Sequence, residues 1–137
     1  MSPRPYAYRQ LVATLHGCRS DLLDSDLLLN TTLRAIRKAN MKIARTTGRN
    51  PLVYKVGDDI MGGGVSVNAL ITTSHLTVHT SKLYGTVEFD CATCGAQSNP
   101  WAALETFKNA LGATYVTMQY EHDELQKEVL SVPPIKA

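Results

Sequence analysis

The chain has 137 residues, of which 44% are hydrophobic and 19% charged, and its net charge is +2. This length predicts one domain, 1–137, and so balanced a charge argues against a nucleic-acid or membrane surface. No apolar run reaches the ~18 residues of a membrane span, and no apolar core follows Met1, so a signal peptide is not expected. Three cysteines, an odd number, argue against a disulfide framework and favour a cytoplasmic location.

The first predicted element is a strand over residues 8–16, where apolar side chains recur at every second position. A helix is predicted from Ser25 to Asn40, with Ser25 as its N-cap. An apolar stripe at i, i+4 and i+7 supports this helix. The stripe consists of Leu29, Leu33 and Ile36.

The middle of the chain predicts strands on either side of an irregular stretch. A possible strand at 41–46 precedes a glycine-rich segment at 48–64. Loops of that length inside a compact domain are often functional. Three more strands are predicted, because β-branched residues are frequent and apolar positions alternate. These strands cover 65–73, 76–80 and 84–91.

The second predicted helix has signals at both ends. Asn99 is its N-cap, Pro100 occupies the first helical position, and Gly112 follows its last turn. Its apolar face consists of Trp101, Leu104, Phe107 and Leu111. A last strand is predicted at 115–121, and the tail from about 123 is expected to be loosely ordered.

Six strands, two helices and short connections between strands indicate an α+β fold. The expected architecture is a two-layer sandwich, in which a mainly antiparallel sheet carries both helices on one face. The other face then needs a cover, and a partner subunit in a homo-oligomer would provide one.

The region around Ser74 resembles a known family. Residues 74–80 read Ser-His-Leu-Thr-Val-His-Thr and are followed by Tyr84-Gly85, Asp90, Thr93-Cys94-Gly95 and Pro100-Trp101. This pattern resembles the bacterial S-adenosylmethionine decarboxylase family, and the similarity extends over most of the chain. In that family an internal serine becomes a covalently bound pyruvoyl group. The resemblance therefore implies self-cleavage between Thr73 and Ser74 and a cofactor made from the chain itself.

The resemblance also implies a role for each motif residue. Ser74 would attack the carbonyl of Thr73 to form an ester, and elimination and hydrolysis would leave the pyruvoyl group that binds the substrate amine as a Schiff base. His79 would assist processing, Cys94 would return a proton to the product, and Ser66 would help with processing and substrate handling. The alternative for each is structural: a turn serine, a half-buried histidine or a small buried thiol.

Geometry constrains two of these assignments. Side chains five positions apart on a straight strand point to opposite faces, so Ser74 and His79 can meet only if Ser74 lies in a bend off the strand. For His75 a structural role is the simpler interpretation. A zinc site built from His75, His79, Cys91 and Cys94 is disfavoured, because two histidines four apart on a strand are about 13 Å apart.

Three positions depart from the family pattern. Thr73 stands where a glutamate usually precedes the serine, Leu83 replaces a glutamate that binds ribose hydroxyls, and Ile60 lies near the position of an aromatic residue that stacks on adenine. Asp58 and Asp59, in the glycine-rich loop, could instead face the cationic end of L-ornithine or L-arginine, which some relatives decarboxylate. Ordinary turn chemistry is the alternative for this pair.

The sequence therefore predicts a self-processing, pyruvoyl-dependent decarboxylase of polyamine biosynthesis that acts as a homo-oligomer, a dimer or larger, of cleaved protomers. S-Adenosylmethionine is the family's usual substrate and leads to spermidine. L-Ornithine and L-arginine are almost equally supported, because of Leu83 and Ile60. An unprocessed, non-catalytic regulatory protein is the further alternative, for which Thr73 is the main support.

Overall fold

The structure is a computed structural model that describes residues 6–124, so most of the predicted loose tail lies outside the described residues. Within them, eight elements follow in chain order. They are β1 (Tyr6–His16), α1 (Ser25–Lys38), β2 (Leu52–Val56), β3 (Gly64–Ile71), β4 (Ser74–Ser81), β5 (Thr86–Gly95), α2 (Pro100–Leu111) and β6 (Tyr115–Asp123).

The strands form one antiparallel sheet in the order β2-β3-β4-β5-β1-β6. The two helices contact each other and the sheet, which confirms the predicted α+β class. β1 lies in the interior of the sheet, between β5 and β6, although it comes first in the chain.

The core lies between the helices and one face of the sheet. The predicted inward residues of β3, Val65, Val67, Ala69 and Ile71, are all buried. Phe89 of β5 meets Phe107 of α2 with ring centroids 5.8 Å apart, and both side chains are buried. Burying one side chain of this size contributes about 1.5–3 kcal/mol, so such contacts hold the helices on this face.

The prediction for α2 is confirmed at both ends. The Asn99 side chain accepts hydrogen bonds from the backbone N–H groups of Trp101 and Ala102, at 3.1 and 3.3 Å. Pro100 occupies the first turn, and Gly112 ends the helix with φ 63°. Glycine adopts this left-handed conformation at little steric cost, which explains why the helix ends there.

The first helix differs from its prediction. It ends at Lys38, its N-cap is Asp24, and the Asp24 side chain accepts a hydrogen bond from Leu27 N at 3.1 Å. Its buried side is also rotated, because Leu29 and Leu33 are only half-buried. The residues buried on this helix are Leu28, Thr31, Thr32, Ala35 and Ile36. Leucines at 27, 28, 29 and 33 offer more than one apolar face, and contact with α2 and the sheet selects among them.

The prediction of a strand at 41–46 is wrong, because Ile43 forms only a single bridge, to Ile71. The missing strand is β2, which lies inside the stretch expected to be irregular. As an edge strand, β2 has one neighbour, and it is largely exposed and only five residues long, so its sequence shows little burial alternation.

The face of the sheet opposite the helices is called the open face. Strand alternation directs to it a largely polar set of side chains from the four central strands of the sheet. These are Ser66, Asn68, Leu70, His75, Thr77, His79, Glu88, Asp90, Cys94, Tyr8, Gln10 and Thr14. Among residues 6–124, neither helix is long and apolar enough to cross a membrane.

Candidate active site

Ser74 is the first residue of β4 and follows a two-residue turn, Thr72-Thr73. It pairs with Ile71 across the hairpin and with Thr93 on its other side. A two-residue connection lets the residues at its two ends pair directly, so Ser74 belongs to the regular ladder. The prediction that Ser74 lies in a bend off the strand is therefore wrong.

The peptide bond before Ser74 is held at its carbonyl. The oxygen of Thr73 accepts a hydrogen bond from the backbone N–H of Cys94, at 3.2 Å. The Thr73 side chain is also held, because its Oγ1 lies 2.9 Å from Oγ1 of Thr93. An N–H directed at a carbonyl oxygen stabilises the negative charge that develops there when a nucleophile adds to the carbon. The arrangement thus supplies one of the donors that an oxyanion hole needs.

Ser66 and His79 form a pair on the open face. They lie opposite each other in the β3–β4 ladder, and Ser66 Oγ is 2.5 Å from His79 Nδ1. His79 is about 17 Å from Ser74 along the straight strand β4, and the two side chains leave from opposite faces. The structure therefore brings Ser66 and His79 together but brings neither to Ser74 of the same chain.

The three cysteines have different surroundings. Cys94 is half-buried near the end of β5, on the open face and close to the Ser74 turn. Cys91 is buried on the helix side, and this burial, together with the nearby Asp90, raises the pKa of Cys91 to about 12. Burial also raises the pKa of the Cys18 thiol. Of the three, Cys94 is the thiol that lies beside the candidate reaction centre.

His75 makes a contact with Ser74 that sequence reasoning missed. Its Nδ1 lies 3.4 Å from Ser74 Oγ, and its Nε2 lies 3.3 Å from Oδ1 of Asp90. Asp90 is 15 residues away in sequence and reaches His75 only through the β4–β5 register. The adjacent Ser-His pair was a visible signal, but nothing in the sequence alone identified its carboxylate partner.

The hydrogen bonds continue from Asp90 across the open face. Gln10 Nε2 donates to Asp90 Oδ1 at 3.0 Å, and the Tyr8 hydroxyl donates to Gln10 Oε1 at 2.7 Å. Partial burial raises the pKa of Tyr8, as do Tyr120, Asp90 and Cys94 nearby. The phenol therefore stays protonated and remains a hydrogen-bond donor at neutral pH.

The predicted substrate-binding residues lie at the other end of β4, near His79. Ile60 and His79 both line a cavity of about 120 Å³. Leu83 is 60% exposed, and its side chain lies beside Gly62 of the neighbouring loop. This end of the open face therefore has an apolar rim.

The two loop carboxylates fold back onto their own turn. A Cβ added to Gly57 would lie 2.6 Å from Asp59 Oδ1, and one added to Gly63 would lie 2.9 Å from Asp58 Oδ1. Both carboxylates thus occupy space that only glycine leaves free. This packing agrees with the turn interpretation of Asp58 and Asp59.

A larger cavity of about 520 Å³ lies between the segment before β2 and the open face. Its lining includes Arg49, Asn68, Leu70, His75 and Thr77. His75 therefore lines this cavity and also contacts Ser74. Within residues 6–124, no group of three or more histidine, cysteine or acidic side chains could hold a metal ion.

Comparison with known proteins places these features in context. A family model described as S-adenosylmethionine decarboxylase matches residues 9–123. The S-adenosylmethionine decarboxylase proenzyme of Thermotoga petrophila is 32% identical over 126 residues, which cover 91% of this chain and 89% of that protein. The arginine decarboxylase proenzyme of Hyperthermus butylicus is 32% identical over 118 residues, which cover 82% of this chain and 75% of that protein.

A solved structure shares the fold. The crystal structure of the adenosylmethionine decarboxylase from Aquifex aeolicus matches with a TM-score of 0.69 and covers 86% of this chain and 90% of that chain. Its sequence identity is 21%, so this similarity concerns the fold alone.

Proposed function

This chain belongs to the S-adenosylmethionine decarboxylase family and is a decarboxylase, and we propose that it cleaves itself between Thr73 and Ser74 and then decarboxylates S-adenosylmethionine. The observation that supports self-cleavage most is the hydrogen bond from the Cys94 N–H to the Thr73 carbonyl oxygen. It polarises the carbonyl next to the Ser74 hydroxyl and stabilises the oxyanion formed by attack.

The residues around Ser74 fit a pyruvoyl group made from that serine. Ser74 follows a two-residue turn and is the first residue of β4, so cleavage would leave it at the free start of a strand. Its ladder partners Ile71 and Thr93 are the residues that would flank it there, whereas the Cys94 N–H and the Thr93 hydroxyl contact Thr73 of the first piece. When present, a pyruvoyl group accepts the electron pair that remains on the substrate as carbon dioxide leaves.

The topology is compatible with a chain cut at this place. Residues 1–73 carry β1, α1, β2 and β3, whereas residues 74–137 carry β4, β5, α2 and β6. In the sheet, β1 of the first piece lies between β5 and β6 of the second. The two pieces are interleaved, so they would stay together after cleavage unless the sheet unfolded.

Cys94 is proposed as the proton donor to the substrate carbon after carbon dioxide leaves. Its thiol is half-buried at the same end of the sheet as Ser74, and its backbone already contacts Thr73. A thiol suits this role because its proton is exchangeable near neutral pH. The buried Cys91 thiol, with its raised pKa, faces the helices and is unsuited to it.

We assign Ser66 and His79 to a Ser74 that belongs to a second copy of the chain. The pair is complete, with Oγ and Nδ1 2.5 Å apart, yet it is about 17 Å from its own Ser74. Two copies that cover each other's open face would bring each pair toward the partner's Thr72-Thr73 turn, where the bond to be cleaved lies at the start of β4; the Ser74 side chain itself projects from the helix side. The proposed active form is therefore a homodimer, or a larger homo-oligomer, in which His79 serves the elimination step of processing.

For the substrate, the family name supports S-adenosylmethionine, and the residues at positions 83 and 60 leave a second candidate open. Leu83 is 60% exposed and Ile60 57% exposed, where the family would bind ribose and adenine. A relative named arginine decarboxylase proenzyme aligns with 82% of the chain. L-Arginine or L-ornithine is therefore the alternative substrate.

The test of self-cleavage is the intact mass of the purified protein under denaturing conditions. We expect two fragments, 1–73 and 74–137, the second with a pyruvoyl N-terminus, and a single full-length chain for Ser74→Ala. Under native conditions the two fragments should elute together because they are interleaved. A wild-type chain that stays uncut on long incubation would overturn the proposal.

A further inference from the structure

We propose that His75 is the base that takes the Ser74 hydroxyl proton in the first step of self-cleavage, and that Asp90 positions it. The inference rests on the proposed self-cleavage and deepens it, because it assigns the acyl shift and the later elimination to different histidines. Its basis is the line of contacts Ser74–His75–Asp90 at the start of β4.

The contacts favour one tautomer of the His75 ring. Asp90 Oδ1 lies 3.3 Å from Nε2, and an ionised carboxylate at this distance favours a proton on Nε2. Nδ1 then keeps its lone pair, and it is Nδ1 that lies 3.4 Å from Ser74 Oγ. Catalytic hydrogen bonds are often this long before the reacting groups close up. The ring is thus set to accept the hydroxyl proton.

Asp90 is itself held in place. Gln10 Nε2 donates to the same Oδ1 at 3.0 Å, and the Tyr8 hydroxyl donates to Gln10 Oε1 at 2.7 Å. This pair of bonds fixes the orientation of the Gln10 amide, because one end must donate and the other accept. Every donor in the line points toward Asp90, which stabilises its carboxylate as an acceptor from His75.

His79 is unsuited to this first step within the same chain. It lies about 17 Å from Ser74, on the opposite face of the strand, and its Nδ1 is already engaged by Ser66. His75 needs neither a second subunit nor a change in the strand to reach the hydroxyl. Two bases fit a reaction with two proton removals, one from Ser74 Oγ and one from Ser74 Cα.

The first step of self-cleavage converts the peptide bond between Thr73 and Ser74 into an ester. Ser74 Oγ bonds to the carbonyl carbon of Thr73 as its proton moves to His75 Nδ1, and the carbonyl oxygen takes the electron pair beside the Cys94 N–H. The carbon–nitrogen bond between Thr73 and Ser74 then breaks, and the nitrogen receives the proton from His75. The product is an ester between Thr73 and Ser74 with a free Ser74 amine, and His75 is again neutral.

The experiment follows cleavage in freshly purified His75→Ala, Asp90→Asn and His79→Ala, with and without hydroxylamine, which cleaves the ester but not an ordinary peptide bond. Thr77→Ala is the matched control, because Thr77 lies on the same strand and face and donates only to Asn68, at 2.7 Å. Each variant is compared with the wild type by circular dichroism to confirm its fold.

We expect His75→Ala to slow cleavage about 100-fold or more and to accumulate no hydroxylamine-sensitive ester. Added imidazole should restore cleavage in His75→Ala but not in Asp90→Asn, which should be slowed about tenfold or more because the wrong tautomer is favoured. His79→Ala should accumulate the ester, and Thr77→Ala should behave like the wild type.

Two outcomes would overturn the assignment: cleavage of His75→Ala within about threefold of the wild type, or ester accumulation in that variant. Either result leaves the proposed function intact, because the wild type still cleaves. Failure of the wild type to cleave is the separate result that refutes self-cleavage itself.

Discussion

Ser66 and His79 face each other across the β3–β4 ladder, with Oγ and Nδ1 2.5 Å apart, on the face of β4 opposite to the side from which Ser74 projects. A hydroxyl–imidazole pair can assist a reaction only when it lies close to the reacting groups. In one chain it is about 17 Å from Ser74, so its target is expected on another copy. The active site would then be shared between subunits.

Complementation tests this shared site. Ser74→Ala and His79→Ala should each remain uncut when expressed alone. When they are coexpressed, the His79→Ala chain should be cleaved, because its Ser74 meets an intact His79 from its partner, and mass spectrometry would identify the fragment 74–137 that carries the substitution. Coexpression of His79→Ala with the double variant Ser74→Ala/His79→Ala is the control. Cleavage that is not restored in the first pair would contradict the shared site.

Cys94 is expected to separate processing from catalysis. In Cys94→Ala the backbone N–H to the Thr73 carbonyl is retained, so cleavage should proceed within about tenfold of the wild-type rate. Decarboxylation should fall about 100-fold or more, because the proton donor is lost. The measurements are fragment formation by mass and carbon dioxide release from S-adenosylmethionine. Cys18→Ala is the control and should retain both, because this thiol follows the end of β1 beside Gly85, at the opposite end of β5 from Cys94.

Local signals explain which elements could be predicted from the sequence. The ends of α2 are set by Asn99, Pro100 and Gly112, whose effects act within a few residues, so that helix was predicted correctly. The alternation of apolar and polar residues in β3 reflects burial on one face, so this strand was also predicted correctly. The edge strand β2 is short, largely exposed and part of the glycine-rich segment 48–64, so its sequence does not reveal it. The buried side of α1 depends on what packs against several equivalent leucines.

The candidate site shows the same limit. The sequence motif identifies Ser74, His79 and Cys94 as residue types, but their chemistry depends on register. Only the β4–β5 pairing brings Asp90 to His75. The expectation of a bend at Ser74 assumed that Ser74 and His79 meet within one chain, and the regular pairing of Ser74 with Ile71 and Thr93 shows that there is no such bend. The sequence gives the order of residues along a strand, but it does not show whether they act within their own subunit or in a partner.

Leu83→Glu tests the substrate assignment. The family's glutamate at this position binds ribose hydroxyls, and Leu83 is exposed on the surface near His79, so a carboxylate can be accommodated. We expect Leu83→Glu to lower the KM for S-adenosylmethionine about tenfold, because the two ribose hydroxyl groups gain a hydrogen-bond acceptor. The panel compares S-adenosylmethionine with L-arginine, L-ornithine and L-lysine for wild type and variant. Turnover of L-arginine alone by the wild type, unchanged in the variant, would favour the alternative substrate.

The buried Cys91 thiol should make stability depend on pH in the alkaline range. Burial and Asp90 raise the pKa of Cys91 from 9.0 to about 12, so the folded chain keeps a proton that the unfolded chain releases above about pH 9. Below pH 9 both states are protonated and the contribution is constant; above it, stability falls as pH rises. Between pH 8.5 and 10 the loss from this group should be about 1 kcal/mol.

Urea unfolding measures this effect, in a Ser74→Ala background that keeps the chain in one piece. Between pH 8.5 and 10, the free energy of unfolding of Ser74→Ala should fall by about 1 kcal/mol more than that of Ser74→Ala/Cys91→Ala. Other titrating groups cancel in the difference. If the free energy of unfolding of the two proteins falls by the same amount with pH, the folded state does not raise the pKa of Cys91 as the structure indicates.

The Arg9–Asp123 ion pair joins β1 to β6. Arg9 Nε and Nη2 donate to the two Asp123 carboxylate oxygens at 3.0 and 3.2 Å, and Nη1 donates to the Ser98 carbonyl at 2.5 Å. The pair is almost fully buried, at 8% and 2% exposure. Removing a cation from beside a buried carboxylate costs about 3–5 kcal/mol, whereas replacing both charges with apolar residues is often nearly neutral.

Arg9→Met should therefore lower the free energy of unfolding by about 3–5 kcal/mol in urea, and Arg9→Met/Asp123→Leu should recover most of that loss. Lys55→Met removes an exposed cation on the edge strand and should change stability by less than about 0.5 kcal/mol. A double variant as unstable as Arg9→Met would mean that the bond to the Ser98 carbonyl, rather than the charge pair, fixes the approach to α2. That result would assign the stabilisation to the hydrogen bond that Arg9 donates to this neutral acceptor, because both variants lack the donor.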